Sequence, residues 1–303
     1  MTQVLNPELA KVSLYFIFAA MALYTVAFVS FATHLSRLAS EKKKVRKAAS
    51  KLEKFGIAVM VPAAAIHGIG VVLRGISASR VPWSNMYEFS ITGSFIVTSI
   101  FLIALVIKDI RLIATFVSGF TLLVLGTATT AFYVEVKTLP PALQDYWLVI
   151  HVIVAVLATA FFNIAAALSV AYLLKTSDFI KKSKSGWVKA VKRILEMFPK
   201  APKLEKLSYR FNIIGFILWS FTLIAGAIWA EKAWHRYWGW DTKEVWTFII
   251  WTIYAGYLHA NATRGWSGKR SAWLALIGFA AILFNFTIVN LYFKGLHVYS
   301  GLK

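Results

Sequence analysis

Residues 234–246 read WHRYWGWDTKEVW, from Trp234 to Trp246, and the chain on either side of them is apolar for about twenty residues. These thirteen positions hold four tryptophans, one tyrosine and four charged side chains. An aromatic belt at a membrane surface needs roughly one or two Trp or Tyr residues per helix end, so this segment carries more aromatic residues than anchoring requires. We interpret it as a surface for a large, flat, charged ligand at the membrane–water boundary.

The composition places the chain among membrane proteins. Of the 303 residues 59% are apolar and 15% are charged, and the mean hydropathy is +0.66. Soluble domains carry roughly 25% charged residues. Because lipid offers no partner for backbone polar groups, we expect an all-α integral membrane protein, a bundle of about eight transmembrane helices of roughly 20 residues each. The predicted spans lie near residues 12–35, 55–75, 88–107, 112–132, 147–174, 207–231, 245–262 and 272–293.

The basic residues indicate the orientation of the bundle. The net charge is +20, and 23 of the 33 Lys and Arg residues fall in four connections on one side of it. By the positive-inside rule these connections are cytoplasmic, so both termini and residues 232–246 lie on the periplasmic side of a bacterial inner membrane. The charge then reflects topology and not nucleic-acid binding. The main basic loops are 36–54 and 175–206, and the second is either an amphipathic segment on anionic lipid headgroups or a docking surface for a partner.

Cysteine is absent from the sequence, which excludes a disulfide, a thiolate metal site and a covalently attached haem of the chain's own. Residues 1–13 lack a basic segment, and no small-residue cleavage site follows the first apolar run. We therefore expect that run to be a retained helix and not a signal peptide, so that residues 1–303 form a single polytopic membrane domain.

The six histidines are scattered over the predicted elements, and a His within the membrane is a functional candidate by default. His151 lies about one turn into the fifth span from its outer end, and His297 lies just beyond the outer end of the eighth. The topology puts both at the depth of residues 232–246. Two His at one depth beside aromatic faces fit axial ligation of haem iron. The alternative is that each is an interfacial residue bonded to water or lipid headgroups.

His259 belongs to a different depth. It follows Glu244 by about fifteen residues on one predicted helix, which is roughly 22 Å at 1.5 Å per residue. Only His34 matches that depth, and we interpret His34 as an interfacial residue, so the second axial partner of His259 is expected from another protein. His67, with Arg74 seven residues later, is either a satisfied core residue or part of an anion-binding pair.

Four motifs together resemble one family of haem-handling membrane proteins. Residues 238–246 resemble its tryptophan-rich WWD signature, and residues 82–88 and 254–266 resemble two further conserved runs, as does Asn290 followed by Gly295-Leu296-His297. The family is CcsA (ResC) of system II cytochrome c biogenesis, and the similarity runs from about residue 60 to the C-terminus.

Two positions depart from this family's pattern. His235 stands where the family usually has Gly, and Thr242 stands where it usually has Pro. The first departure leaves His235 either as a rival ligand to the external pair or as a solvated interface residue. The second is expected to affect only the turn into the seventh span.

The resemblance implies a cytochrome c haem lyase, or synthase. The family takes haem b from the cytoplasmic side through a transmembrane site to an external site under the tryptophan-rich segment. There haem is joined by thioether bonds to the Cys-x-x-Cys-His motif of an apocytochrome c. The implied partner is a CcsB (ResB) membrane protein, and a thiol-reducing protein is a further candidate. By position, His151 and His297 resemble the external axial ligands, and His259 resembles one ligand of the transmembrane site.

The residues of the outer segment suit haem, which is flat, apolar and carries two propionates. Tryptophan faces stack on the porphyrin, and Arg236, Lys232 or Lys243 pair with the propionates. Asp241 and Glu244 orient the segment or cap the following helix, and we assign no catalytic acid or base. The predicted haem-binding residues are His151, His297, His259, Trp234, Trp238, Trp240, Asp241, Arg236 and His235.

Two other functions stay open at this stage. One is a haem transporter or chaperone without ligase activity, as in haem-delivery proteins that share the tryptophan motif. The other is a di-haem membrane electron-transfer protein. That function requires paired His on facing helices at both depths, and only the outer depth has an obvious pair.

Overall fold

The computed structural model describes residues 5–38, 40, 43–107, 110–139, 144–263, 265–293 and 295–296. Its helices are α1 Pro7–Leu38, α2 Lys43–Ser77, α3 Met86–Ile107, α4 Ala114–Ala131, α5 Tyr146–Thr176, α6 Asp178–Lys182, α7 Gly186–Met197, α8 Ala201–Trp234, α9 Thr242–Thr263 and α10 Lys269–Phe284. A 3-10 turn, Arg111–Ile113, precedes α4, and α10 continues through a π turn, Asn285–Val289, as far as Tyr292.

All eight predicted spans lie in helices, and the predicted all-α membrane fold is confirmed. Within the described residues, seven helices are long and apolar enough to cross a membrane: α1, α2 from Ala49 onward, α3, α4, α5, α8 and the continuous helix Lys269–Tyr292. The seventh predicted span, 245–262, lies in α9, which is not among these seven helices; it carries polar side chains such as His259 and Asn261.

The basic stretches are largely helical. Helices α1, α2, α5 and α8 have 32, 35, 31 and 34 residues, or about 50 Å at 1.5 Å per residue, so they extend beyond a bilayer core of about 30 Å. Residues 36–54 therefore contain the end of α1 and the start of α2. Residues 175–206 contain α6 and α7, and the Lys175 ammonium donates to the carbonyls of Leu195 and Phe198 at 2.5 and 2.8 Å, which ties α7 to α5.

The two largest parts of the apolar core both include residues of α5, α8 and α10. One part lies mainly among α1 to α5, and the other lies among α5, α8, α9 and α10. In the second part the rings of Phe162 and Tyr254 stack with centroids 3.7 Å apart. Gly215 and Gly278 make room for these rings, since a Cβ at either position would approach them to 2.7 Å. Small residues thus let the helices pack closely in the half that carries the tryptophan-rich segment.

His67 and Arg74 do not pair with each other. The buried imidazole of His67 lies 3.3 Å from the Tyr24 hydroxyl and packs edge-on against Phe95. Arg74 turns instead to Glu88, with Nε donating to Oε1 at 3.1 Å. His67 is therefore a core residue, and Arg74 belongs to a separate charged cluster.

That cluster fixes the connection between α2 and α3. Glu88 accepts from Arg74 and also from Arg80, whose Nη1 lies 2.5 Å from Oε2, and the three side chains are at most 8% exposed. The backbone N–H and the hydroxyl of Ser84 also donate to Glu88 Oε2, at 3.1 and 3.0 Å. We call Arg74, Arg80 and Glu88 the arginine–glutamate cluster. It sets the position of residues 83–85, which form part of the site.

Candidate functional site

A cavity of about 270 Å³ lies among α3, α4, α5, α8, α9 and α10, beside the tryptophan-rich segment. Its wall is mainly apolar and aromatic, and its aromatic members include Trp83, Phe89, Trp219, Trp229, Trp238 and Phe286. The polar groups that line it include His151, Lys243, Glu244 and Asn285. An apolar pocket with a few convergent polar groups is the usual form of a site for a large organic ligand.

His151 lies on the wall of this cavity and is held by α8. Its Nδ1 lies 2.9 Å from the Thr222 carbonyl oxygen, and its ring stacks on Trp229 at 6.0 Å with an 18° tilt. Because a carbonyl only accepts, Nδ1 carries the proton, and Nε2 is the nitrogen with the lone pair. Gly226 of α8 leaves room for the His151 ring, because a Cβ at this position would lie 2.7 Å from His151 Cε1.

The tryptophans of residues 234–246 do not form one continuous surface. Trp238 lines the cavity, and Trp240, which meets it edge-on at 5.9 Å, is 77% exposed. Trp234 packs against the buried Trp229 at 4.8 Å. Trp246 packs against Phe284 at 4.4 Å. Of the three tryptophans predicted to bind haem, only Trp238 lines the cavity, because the chain turns twice between α8 and α9.

His235 makes the first of these turns. It caps α8 with φ 57°, and its side chain is exposed and does not line the cavity. Left-handed backbone favours Gly, and His is among the other residues that adopt it, so His235 fills a position that suits glycine. Trp240 makes the second turn with φ 58°. Gly239 lies between them, and the guanidinium end of the Arg236 side chain packs against its backbone, where a Cβ would overlap it.

Asp241 and Glu244 form a capping box at the start of α9. Glu244 Oε2 accepts from the N–H groups of Gly239 and Asp241 at 2.8 and 3.0 Å, and Asp241 Oδ1 accepts from the Lys243 N–H at 2.9 Å. Asp241 Oδ2 accepts from the Leu296 N–H at 2.7 Å. Asp241 thus links α9 to the described residues just before His297, and its predicted haem contact stays a prediction. His297 itself lies outside the described residues.

The three candidate cations take different positions. Lys232 is exposed and lies 3.6 Å from Glu231, and Arg236 packs on Gly239. Lys243 lines the cavity, and its ammonium donates to the Asn285 carbonyl at 2.8 Å. Of these three cations, Lys243 is therefore the one that lines the cavity.

His259 lies outside this cavity. It is exposed on α9 and is not part of the cavity wall. His34, the other histidine at its predicted depth, is buried, with Nδ1 2.8 Å from the Ala49 carbonyl and Nε2 3.7 Å from a Glu53 carboxylate oxygen. His34 is therefore occupied within the α1–α2 pair, and the surface around His259 faces outward.

Several residues of the site carry no signal in the sequence. Trp219 and Trp229 lie within a long apolar run, where tryptophan reads as ordinary core. Gly226 and Thr222 belong to the site only because the packing of α5 on α8 brings His151 into contact with them. Asn285 is an isolated polar residue in an apolar span, and this feature of the sequence could have indicated its place in the site.

Comparisons with known proteins agree with this architecture. A family described as cytochrome C assembly protein matches residues 83–297. The cytochrome c biogenesis protein CcsA of Prochlorococcus marinus is 38% identical over 254 residues, covering 77% of this chain and 79% of that protein. CcsA of Oryza sativa is 34% identical over 261 residues, covering 76% and 81%.

A solved structure shares the fold. Cytochrome c heme lyase CcmF superposes with a TM-score of 0.63 over 100% of this chain at 15% identity, and this chain spans 49% of the CcmF chain. At that identity the likeness concerns the fold alone. The family match and the curated relatives identify the chain as a multi-pass membrane protein of the CcsA family of cytochrome c assembly proteins.

Proposed function

We propose that the chain is the haem-handling subunit of a cytochrome c synthase in the bacterial inner membrane. Haem is taken from a transmembrane site at His259 to the cavity at His151, and there it is attached to an apocytochrome c on the periplasmic side. The observation that carries the proposal is the cavity itself. It combines an imidazole of fixed tautomer, aromatic walls and one cation, which are the groups that hold iron, a porphyrin face and a propionate.

The residues of the cavity fit haem. Nε2 of His151 is the nitrogen that ligates iron, and Thr222 fixes the ring from the opposite side. Trp229 and Trp238 supply aromatic faces, and the apolar wall excludes water. We place His297 as the second outer ligand, because the resemblance assigns it and because Asp241 anchors Leu296, the residue before it.

The chemistry is the addition of two thiols to two vinyl groups. Each cysteine sulfur of the Cys-x-x-Cys-His motif bonds to a vinyl carbon, and its proton ends on the neighbouring vinyl carbon. No cavity residue needs to act as acid or base. The chain contributes position, since a haem held at a defined depth presents its vinyl groups to the incoming peptide.

The exposed position of His259 favours a membrane partner on that face of α9. A lone imidazole on the outside of the bundle ligates iron in a two-ligand site when another protein brings the second ligand. A CcsB-like protein is the partner that the resemblance implies. The transmembrane site at His259 then lies at the interface between the two proteins.

The direct test is co-expression of the chain with a CcsB-like partner and an apocytochrome c that carries one Cys-x-x-Cys-His motif. We expect haem to remain on the apocytochrome after denaturing electrophoresis, as seen by its peroxidase activity. A Cys-to-Ser apocytochrome is the matched control and should carry none. Haem that co-purifies with the chain but never becomes covalent would contradict the synthase function and favour a carrier.

Gly226→Ala is expected to weaken haem binding by about tenfold or more, the size of effect seen when a supporting contact of a metal ligand is lost. The new Cβ would lie 2.7 Å from His151 Cε1 and 2.8 Å from Nδ1, so we expect the ring to shift away from the Thr222 carbonyl. Titration of the purified chain with haem, followed in the Soret band, measures this loss.

Gly126→Ala is the matched control for this change. Gly126 also lies within a helix, and a Cβ there meets nothing within 4 Å. Ala is the better helix former, so this variant should be as stable as the parent or slightly more stable, with unchanged haem affinity. Equal haem affinities in the two variants would show that Gly226 does not position His151.

A further inference from the structure

The arginine–glutamate cluster carries more positive than negative charge. Arg74 and Arg80 each bring one positive charge, and both pair with the single carboxylate of Glu88. The three side chains are buried, and among the described residues Glu88 is the one carboxylate that pairs with either guanidinium group. Charges removed from water need close compensation by opposite charge and by hydrogen bonds. One positive charge of this cluster therefore has no counter-charge within the described part of the chain.

The hydrogen bonds of the two guanidinium groups are also incomplete. Arg74 donates from Nε to Glu88 Oε1 at 3.1 Å and from Nη2 to the Val134 carbonyl at 2.8 Å. Arg80 donates from Nη1 and Nη2 to the two oxygens of Glu88. Within the residues that the structure describes, Arg74 Nη1 and Arg80 Nε are buried without a hydrogen-bond partner. Guanidinium nitrogens donate and never accept, so both atoms need an acceptor.

Tyr87 places a further donor beside Arg74. The Arg74 Cζ lies over the Tyr87 ring, 5.0 Å from its centre, and the Tyr87 hydroxyl is buried with no hydrogen-bond partner in the described part of the chain. Tyr133 meets Tyr87 edge-on at 5.1 Å, and its ring centre lies 6.0 Å from the same Cζ. The ring faces attract the guanidinium group, but they carry no net charge and leave the excess positive charge in place.

The position of the cluster restricts the anion that it can hold. Arg74, Arg80 and Glu88 lie at the end of α2 and the start of α3, and none of them is part of the cavity wall beside the tryptophan-rich segment. A ligand in that cavity therefore does not reach these donors. One negative charge balances the cluster, and close burial favours a single-atom ion over phosphate or a carboxylate.

We infer that Arg74 Nη1 and the Tyr87 hydroxyl bind one small monovalent anion, such as chloride, inside the arginine–glutamate cluster. The ion supplies the acceptor that the buried donors need and neutralises the charge that Glu88 leaves over. It also supports the cavity wall at residues 83–85, because Ser84 donates to the same carboxylate as the two arginines. The inference stands apart from the proposed haem function, since it concerns a different group of residues.

The test is equilibrium dialysis of the purified full chain in detergent against radioactive chloride, in a gluconate buffer of constant ionic strength. We expect saturable binding of one chloride ion per chain. Tyr87→Phe should weaken this binding by about tenfold or more, the loss of one hydrogen bond to a charged group. The hydroxyl has no hydrogen-bond partner among the described residues, so this variant should fold like the parent. Arg74→Met should abolish saturable binding.

Tyr133→Phe is the matched control, because it removes the same atom from the neighbouring ring, which lies farther from the Arg74 guanidinium. It should keep the affinity of the parent for chloride. Diffuse counter-ions of a chain with net charge +20 should not saturate, and they should bind equally to all variants. Binding of that kind alone in the unsubstituted chain would overturn the anion site. So would equal chloride affinities in Tyr87→Phe and the parent.

Discussion

Replacing His151 by Gly is expected to lower the haem affinity of the purified chain by more than about tenfold and to abolish attachment of haem to the apocytochrome. The imidazole lines the cavity with its Nδ1 held by the Thr222 carbonyl, so the substitution removes the ligating nitrogen and leaves a space of its own shape. Loss of a direct ligand exceeds the 10- to 100-fold cost of losing a supporting contact. Added imidazole should enter that space and restore the Soret spectrum.

His235→Gly is the control for this variant. His235 is exposed at the end of α8 with a left-handed backbone that glycine adopts without strain, so haem affinity should not change and stability should hold or rise. The two variants distinguish His151 from His235 as the outer ligand of haem iron. If His235→Gly lost haem and His151→Gly kept it, His151 would not be the ligand and His235 would take its place.

Glu88→Gln is expected to lower the free energy of unfolding by about 3–5 kcal/mol, the cost of removing one partner from a buried ion pair. The carboxylate is buried and accepts from Arg74 and Arg80, so both guanidinium groups lose their counter-charge. Ser84 donates to the same carboxylate, so the 83–85 wall of the cavity should also loosen. Denaturant titration in detergent measures the free energy of unfolding. A haem titration measures whether the change in the 83–85 wall lowers haem affinity.

Glu8→Gln is the comparison for this change, because Glu8 and Lys11 form an ion pair on the surface of α1 with both side chains largely exposed. Water screens such a pair, so unfolding should be unaffected. A similar stability loss in both variants would mean that the arginine–glutamate cluster adds nothing specific. A large loss in Glu88→Gln with unchanged haem affinity would restrict the cluster to a structural role.

The spans could be predicted from the sequence because lipid imposes one local rule. Backbone polar groups must bond within the span, so a long apolar run becomes a helix whatever surrounds it. That rule does not state how far a helix continues into water, and the basic stretches predicted as loops are therefore extensions of α1, α2, α5 and α8 with α6 and α7 between them. The same rule does not distinguish a residue of the apolar core from a residue that lines a ligand cavity. Trp219 and Trp229 line the cavity although they resemble ordinary apolar residues.

In the tryptophan-rich segment, too, the sequence pattern predicts only part of the arrangement, and the tertiary structure decides the rest. Its composition indicates a place where aromatic and charged groups concentrate, but the roles of its members depend on two left-handed residues, His235 and Trp240, that direct neighbouring side chains apart. Trp240 therefore lies outside, Trp238 lines the cavity, and Asp241 turns to the backbone of Leu296. Positive φ at a non-glycine residue has no reliable mark in a single sequence.

The sequence by itself determined the class of protein, the position of the long apolar helices and, through its motifs, the CcsA family, because each depends on local composition or on short runs of residues. Only the tertiary structure decided that His151 meets Thr222 and Gly226, that Lys243 meets the π turn at Asn285, and that Arg74 pairs with Glu88 and not with His67. These contacts join residues from 14 to 75 positions apart. They exist because helix packing, and not sequence proximity, brings side chains together in a membrane bundle.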